Sequence, residues 1–376
     1  MKSETLLIIA DSERDANMLY GSKLFVPDPF ILVRKNGVSH LVLSDLEIDR
    51  ATKSCPQASV HSLSRLRDKA IEDGVRAPDL GHIAAVLLRK LRIKRATVPT
   101  TFPLGFAQSI QSLDHSPALT IGNPFPERAI KHPDEVKKIR EILRITQLGL
   151  DAGISMIRES KILKNKALRF AGKPLTSEMV RAAIHTVISQ HSGIPCNTIV
   201  AGGEQACDPH ERGHGPLKAN KPIIIDVFPR SELTGYFGDI TRTVVRGQAS
   251  EAVRRLYDAV GKAQKTGFRE VRHGKNARSV HQSVQETFQN LGYETERKNG
   301  HMQGFFHGTG HGLGLDIHEG PGIGSLSQDT LAKGHVVTVE PGLYYPGIGG
   351  VRLEDVVLVT ERNPKKLTNY PQTLEI

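Results

Sequence analysis

The sequence predicts an α/β domain over residues 1–125 followed by an α+β domain over 126–376 with internal pseudo-symmetry. Three observations carry this reading. The first stretch alternates short apolar runs with amphipathic ones, a proline-rich segment then interrupts the pattern, and beyond it the order helix, helix, hairpin occurs twice. A chain of 376 residues is long enough for two cores.

In the first domain LLIIA reads as a strand. PFILVRKNGVSHLVL reads as a hairpin, because two β-rich runs flank an Asn-Gly pair that accepts the positive φ of a tight turn. DLGHIAAVLLRKLRI has helical spacing, and RATVP and PALTIG are further short strands. NPFPERAIKHPDE, with three prolines, reads as a linker into a helix whose first turn holds Pro133, Asp134 and Glu135.

The second domain begins with a helix over about 134–158, with Val136, Ile139, Ile142 and Leu143 on one face, then one over about 177–190 capped by Thr176. A helix over about 251–267, capped by Ser250, and one over about 279–290 ending at Gly292 repeat the order. Strand-like segments follow each pair. The two copies share no obvious sequence identity, so the repeat is architectural.

Composition narrows the function. Hydrophobic residues at 38% and charged residues at 24% are ordinary globular usage, which argues against disorder. The net charge of +10 permits attraction to polyanions, but the basic residues are spread and interleaved with acids, so a solvated surface is expected and nucleic-acid binding is not. Cys55, Cys196 and Cys207 lack CxxC spacing, so neither a disulfide framework nor a thiolate zinc site is supported and a cytoplasmic location is expected. The opening apolar run, cut off by Asp11, is too short for a signal sequence or a membrane span.

The chemistry is concentrated in three segments. KPIIIDVFPRSELTGYFGDITRTVV reads as a hairpin folded about residues 232 and 233, which sets Asp226 opposite Asp239 on one face. HVVTVEPGLYYPGIGGVRLEDVVLV folds about Pro346-Gly347 and pairs Glu340 with Glu354. Runs of Ile, Val and Leu argue that all four acids are buried, which is costly without a cation or a shared proton. FFHGTGHGLGLDIHEG adds His307, His311 and His318 among five glycines, which keep backbone bulk away from metals and substrate. GTGHGLG fails the GxGxxG spacing in every register, and HExxH is absent. An oxygen-rich set with imidazole beside it suits paired Mn²⁺, Co²⁺ or Zn²⁺ better than a structural zinc. Two such ions about 3.5–4 Å apart can hold a hydroxide and polarise a carbonyl, so hydrolysis is the expected chemistry.

The ordered set Asp226, Asp239, His311, Glu340 and Glu354 resembles that of the dinuclear metallopeptidases of the pita-bread fold, peptidase family M24. GTGHGLGLDIHE, TVEPGLYYPGIGGVRLED and the GDITRT segment resemble the proline-handling branch, aminopeptidase P and prolidase, while PDPFILV and LVLSDLEIDRA look like the creatinase-type amino-terminal domain of that branch. The resemblance implies two divalent ions, Mn²⁺ first with Co²⁺ or Zn²⁺ as alternatives. Asp226 would hold one, Asp239 and Glu354 would bridge the pair, and His311 with Glu340 would complete the second. Glu340 would also accept a proton.

His318 and His210, the latter from ACDPHERGHG, would orient the scissile carbonyl and shuttle protons. His214 is the competing histidine in that segment, and His210 is preferred. His307 and Arg352 would line the substrate pocket; alternatively His307 fills its rim, Arg352 pairs with Glu354 or Asp355, and His318 acts from outside through Glu319. The implied activity is hydrolysis of the bond between an amino-terminal residue and a following proline, in peptides or X-Pro dipeptides, by a homodimer. Two other readings keep the fold: a creatinase-like C-N hydrolase of a small non-peptide substrate, and a non-catalytic binding protein. The intact ligand set opposes both.

Overall fold

The computed structural model describes residues 5–376, which divide into two compact units, one closing at Arg128 and one running Ala129–Ile376. The first unit is built on a six-stranded sheet. Its strands are β1 (Leu6–Ala10), β2 (Phe30–Lys35), β3 (Val38–Leu43), β4 (Ser59–Ser62), β5 (Arg95–Val98) and β6 (Ala118–Ile121). The order is β4-β3-β2-β1-β5-β6, antiparallel through β1, β2 and β3 and parallel where β4, β5 and β6 join. Asn36 and Gly37 turn the β2–β3 hairpin at φ of 50° and 82°, the conformation this dipeptide favours.

Alternate residues of β1 and β2 feed opposite faces: Leu7, Ile9, Ile31 and Val33 pack on one side, Leu6, Ile8, Phe30 and Leu32 on the other. Helices cover both. They are α1 (Ala16–Ser22), α2 (Ile48–Ser54), α3 (Leu63–Glu72), α4 (Leu80–Lys90) and α5 (Leu104–Gln111). Of these only α4 has a long enough apolar repeat to be legible in the sequence. The others are short segments that tertiary packing holds in helical form.

The second unit opens with α6 (Pro133–Glu159) and α7 (Ser177–Gln190). Thr176 caps α7, its hydroxyl accepting from the Met179 amide at 3.3 Å. The two helices approach closely at Gly149 and Gly153, where a Cβ would lie 2.8 Å from Ile188 and Ile184. A three-stranded antiparallel sheet follows, with β8 (Pro222–Val227) between β7 (Ile199–Gly202) and β9 (Ile240–Val245).

The order then recurs with α8 (Glu251–Glu270), capped by Ser250, and α9 (Ala277–Asn290). Helix α9 starts two residues before the expected position because Asn276 caps it, accepting from the Ser279 amide at 3.2 Å. The second sheet contains β10 (Gly310–Gly312), β11 (Glu319–Ile323), β12 (Val336–Val339), β15 (Asp355–Leu358) and β16 (Lys365–Lys366) in the order β11-β10-β12-β15-β16. Between β12 and β15 stands the hairpin of β13 (Gly342–Tyr345) and β14 (Gly349–Arg352).

Side-chain and backbone bonds tie the two halves together. The Arg352 amide donates to Thr243 Oγ1 at 3.0 Å, Thr243 Oγ1 donates to the Arg352 carbonyl at 2.9 Å, and the Glu354 amide donates to the Thr241 carbonyl at 3.1 Å. The strands that carry the acids therefore meet in the middle of the unit. Among the described residues no helix is long and apolar enough to cross a membrane.

Candidate metal centre

The first acidic hairpin differs from its expected register. In β8 and β9 Asp226 stands opposite Thr241, two residues beyond Asp239, because the connection between the strands is longer than a tight turn. Part of it, Arg230–Ser231, pairs with Gly193–Ile194, and Arg230 bridges to Phe237. Residues two apart share a face, so Asp239 still lies on the face of Thr241 and Asp226, diagonally rather than directly across. In the second hairpin Val339 pairs Asp355 and Gly342 pairs Arg352, which leaves Glu340 opposite Glu354.

His311 sits in the middle of β10, beside β12. Its amide donates to Thr338 Oγ1 at 3.0 Å, and its Nδ1 lies 3.2 Å from the Gly312 carbonyl. The tautomer that donates from Nδ1 leaves the Nε2 lone pair facing the acids, 3.6 Å from Asp239 Oδ2 and 3.3 Å from Glu340 Oε1. Ligand atoms of Asp239, His311 and Glu354 all lie within 4.8 Å of one another. Glu340 joins this group through His311.

Asp226 is held differently. Its Oδ2 accepts from Arg352 at 2.8 Å, and Arg352 is 3% exposed. Arg352 therefore pairs with Asp226 rather than with Glu354 or Asp355. A second Arg352 nitrogen donates to the Tyr344 hydroxyl at 3.0 Å, and that hydroxyl lies 2.8 Å from His307 Nε2. Tyr344 was not among the residues expected at the site. The available signal was its parity with Glu340 and Gly342 along the strand, which turns it to the same side.

The electrostatics are those of a crowded anionic site. Burial raises the Asp239 carboxyl well above its ordinary range, and Glu354, Asp226 and Glu340 add repulsion. Burial likewise raises Glu354, with Glu340 and Asp226 contributing, and pushes Glu340 up to about 7. His307 is pushed down to about 3 by burial and then by the Arg352 charge, so its ring is neutral near neutral pH.

The residues fit a cation. Asp239, His311 and Glu354 converge with Glu340 beside His311, and Asp226 Oδ1 and Glu354 Oε1 are buried without a hydrogen-bond partner among the described residues. Buried carboxylate oxygens left in that state require compensation, and a divalent ion would supply it.

The remaining histidines separate by position. His318 is exposed, with its ring 4.4 Å from that of His311. His210 is also exposed, and its charge lowers both His307 and His318, so it faces the same region. His214 instead lies 3.6 Å from Glu211, with its side chain 73% exposed.

Residues 137–361, more than half of the chain, match metallopeptidase family M24. The chain belongs to that family. This M24 chain is 31% identical over 248 residues to the Xaa-Pro dipeptidase of Pyrococcus furiosus, an alignment covering 66% of this chain and 65% of that protein. It thus spans just under two thirds of that relative's length. Solved structures match the whole of it: an Xaa-Pro dipeptidase from Bacillus anthracis at TM-score 0.82 and 22% identity, covering 100% of this chain and 95% of that one, and an X-Pro aminopeptidase from Thermotoga maritima at 0.82 and 22%, covering 100% and 98%. These likenesses establish the fold: a creatinase-type α/β domain followed by the pseudo-symmetric pita-bread domain.

Proposed function

We propose that this M24 chain hydrolyses the peptide bond between an amino-terminal residue and a following proline, using two divalent cations, Mn²⁺ first among them. The observation that carries the reading is the convergence of Asp239, His311 and Glu354, with Glu340 beside them and two carboxylate oxygens of Asp226 and Glu354 unpaired. Family membership and the names of the P. furiosus, B. anthracis and T. maritima proteins support the substrate class. In this reading residues 126–376 are the catalytic domain and 1–125 the creatinase-type domain.

Asp226, Asp239, His311, Glu340 and Glu354 would hold the ions, which when bound would activate a water and polarise the scissile carbonyl. Glu340, 3.3 Å from His311 Nε2, would stand beside that water to take up the proton it gives up. As the carbon–nitrogen bond breaks, that proton is delivered to the proline nitrogen. His318 and His210, both exposed, are available to orient the carbonyl. Neutral His307, tied through Tyr344 to Arg352, gives the pocket a wall that can hydrogen-bond without carrying charge. The three cysteines are free, which supports a reducing, cytoplasmic location.

The test is reconstitution with Mn²⁺, Co²⁺ or Zn²⁺ and assay of an X-Pro dipeptide beside an X-Pro tripeptide. Cleavage that disappears in Asp239→Ala supports the reading, and the preferred length separates dipeptidase from aminopeptidase. Metal uptake with cleavage of neither peptide rejects the substrate class.

A further inference from the structure

Away from the acids, the second unit buries an ion pair that the chemistry above does not use. Lys131, in the segment leading into α6, has its side chain 2% exposed and its Nζ on Glu319 Oε1, and the Glu319 side chain is 10% exposed. The partners are separated by 188 residues. A pair this deep gives little net stability, because the desolvation of both charges offsets their attraction. What such a pair can supply is position, since it joins two segments far apart in the chain.

Glu319 is the residue after His318 and the first residue of β11, where it pairs with Gly312, the residue after His311. Between those two ends, residues 313–318 wrap around the Glu319 carboxylate. A Cβ on Gly314 would lie 2.7 Å from Glu319 Cδ, and the Asp316 amide points at Glu319 Oε2 from 3.5 Å. The outer side of the loop is fixed by the Leu313 amide on the Val336 carbonyl at 3.0 Å and the Phe237 amide on the Gly314 carbonyl at 2.8 Å. Lys131 is itself fixed by its amide, which donates to the Gly334 carbonyl at 2.8 Å. One carboxylate therefore sits beneath the loop that ends in His318, and a lysine anchored elsewhere holds it.

We infer that Lys131 and Glu319 are positioning residues, a buried electrostatic pin that fixes the loop of residues 312–320 and with it the placement of His318 against His311. The catalytic consequence rests on the peptidase reading; the mechanical one does not. Without Lys131 the carboxylate loses its buried counter-charge, and the loop packed against it shifts. Displacement of a reacting group by about 1 Å costs on the order of 10²-fold in rate, so turnover falls while substrate still binds.

The experiment compares Lys131→Met, Lys131→Arg, Glu319→Gln and the exchange Lys131→Glu with Glu319→Lys, each as the full chain loaded with Mn²⁺. Amide hydrogen exchange of residues 312–320 is read beside kcat and KM on an X-Pro dipeptide, well below the unfolding midpoint. Lys131→Met is expected to speed exchange across 312–320 by about tenfold or more and to lower kcat about 10- to 100-fold with KM within about threefold. Lys131→Arg should keep both near wild type, and the exchanged pair should recover part of each. Should Lys131→Met fail to fold, Glu319→Gln, close in shape, gives the same reading.

Unchanged exchange over 312–320 in a folded Lys131→Met or Glu319→Gln chain overturns the pin, as does an exchanged pair no better than the single variants. If wild type cleaves no X-Pro peptide, the activity reading fails while the exchange data still decide the pin.

Discussion

Replacing Gly310 with alanine should damage the candidate metal centre without replacing any of the proposed ligands. A Cβ there would lie 2.0 Å from the Thr338 carbonyl oxygen and 2.8 Å from its carbon, backbone atoms of β12 that no rotamer change can move. Real Cβ contacts essentially never fall below 3.0 Å, so β10 and β12 must part by about 1 Å. Three bonds depend on that seam: the His311 amide to Thr338 Oγ1 at 3.0 Å, the Glu340 amide to the Thr309 carbonyl at 2.8 Å, and the 3.3 Å approach of His311 Nε2 to Glu340.

Overpacking typically costs about 1–3 kcal/mol, and the upper end is expected because the obstacle is backbone. A shift of about 1 Å in His311 should also cost on the order of 10²-fold in turnover. Thermal unfolding, calorimetric titration with Mn²⁺ and X-Pro hydrolysis would read the three effects. Gly322→Ala, in the neighbouring β11 with nothing within 4 Å of its Cβ, is the control and should be nearly silent. A Gly310→Ala chain with wild-type melting and wild-type metal affinity would refute the reasoning.

Three further outcomes are expected. Mn²⁺ at about one hundred times its dissociation constant should raise unfolding free energy by about 2.7 kcal/mol for each site filled, and Asp239→Asn should abolish the shift seen in denaturant titrations with and without chelator. Arg352→Met leaves Asp226 buried without its partner and should destabilise the chain by about 3 kcal/mol, readable as a lower denaturant midpoint, whereas a surface arginine would show almost nothing.

His335 supplies a pH dependence. Burial and then the Lys131 charge push it down to about 4, and its Nδ1 accepts from the Ala332 amide at 3.0 Å. Its folded value lies below the unfolded one near 6.5, so between pH 6.5 and 4 the unfolded chain binds more protons. Stability should therefore fall as pH drops through that window and level off below it. His335→Gln should flatten that part of the profile in denaturant midpoints measured across the range.

What the sequence determined by itself was what is local and periodic. The Asn-Gly turn, the caps at Thr176 and Ser250 and the apolar faces of α6 and α8 are encoded within a few residues of where they act. Strand alternation placed Glu340 opposite Glu354, because a short glycine turn transmits register without slack. Asp226 and Asp239 were legible as a same-face pair, but not as a diagonal one, since the connecting residues pair with β-structure that no local pattern announces. Short helices such as α1 and α5 were invisible for a related reason: packing, not propensity, stabilises them.

Tertiary structure alone decided which charges met. Arg352 reaches Asp226 across 126 residues and Lys131 reaches Glu319 across 188. Tyr344 was not read from the sequence at all, and its contacts with His307 and Arg352 come from packing alone. Contacts at such separation depend on how helices and sheets pack, and a chain read in order carries the residue types for them without the distances.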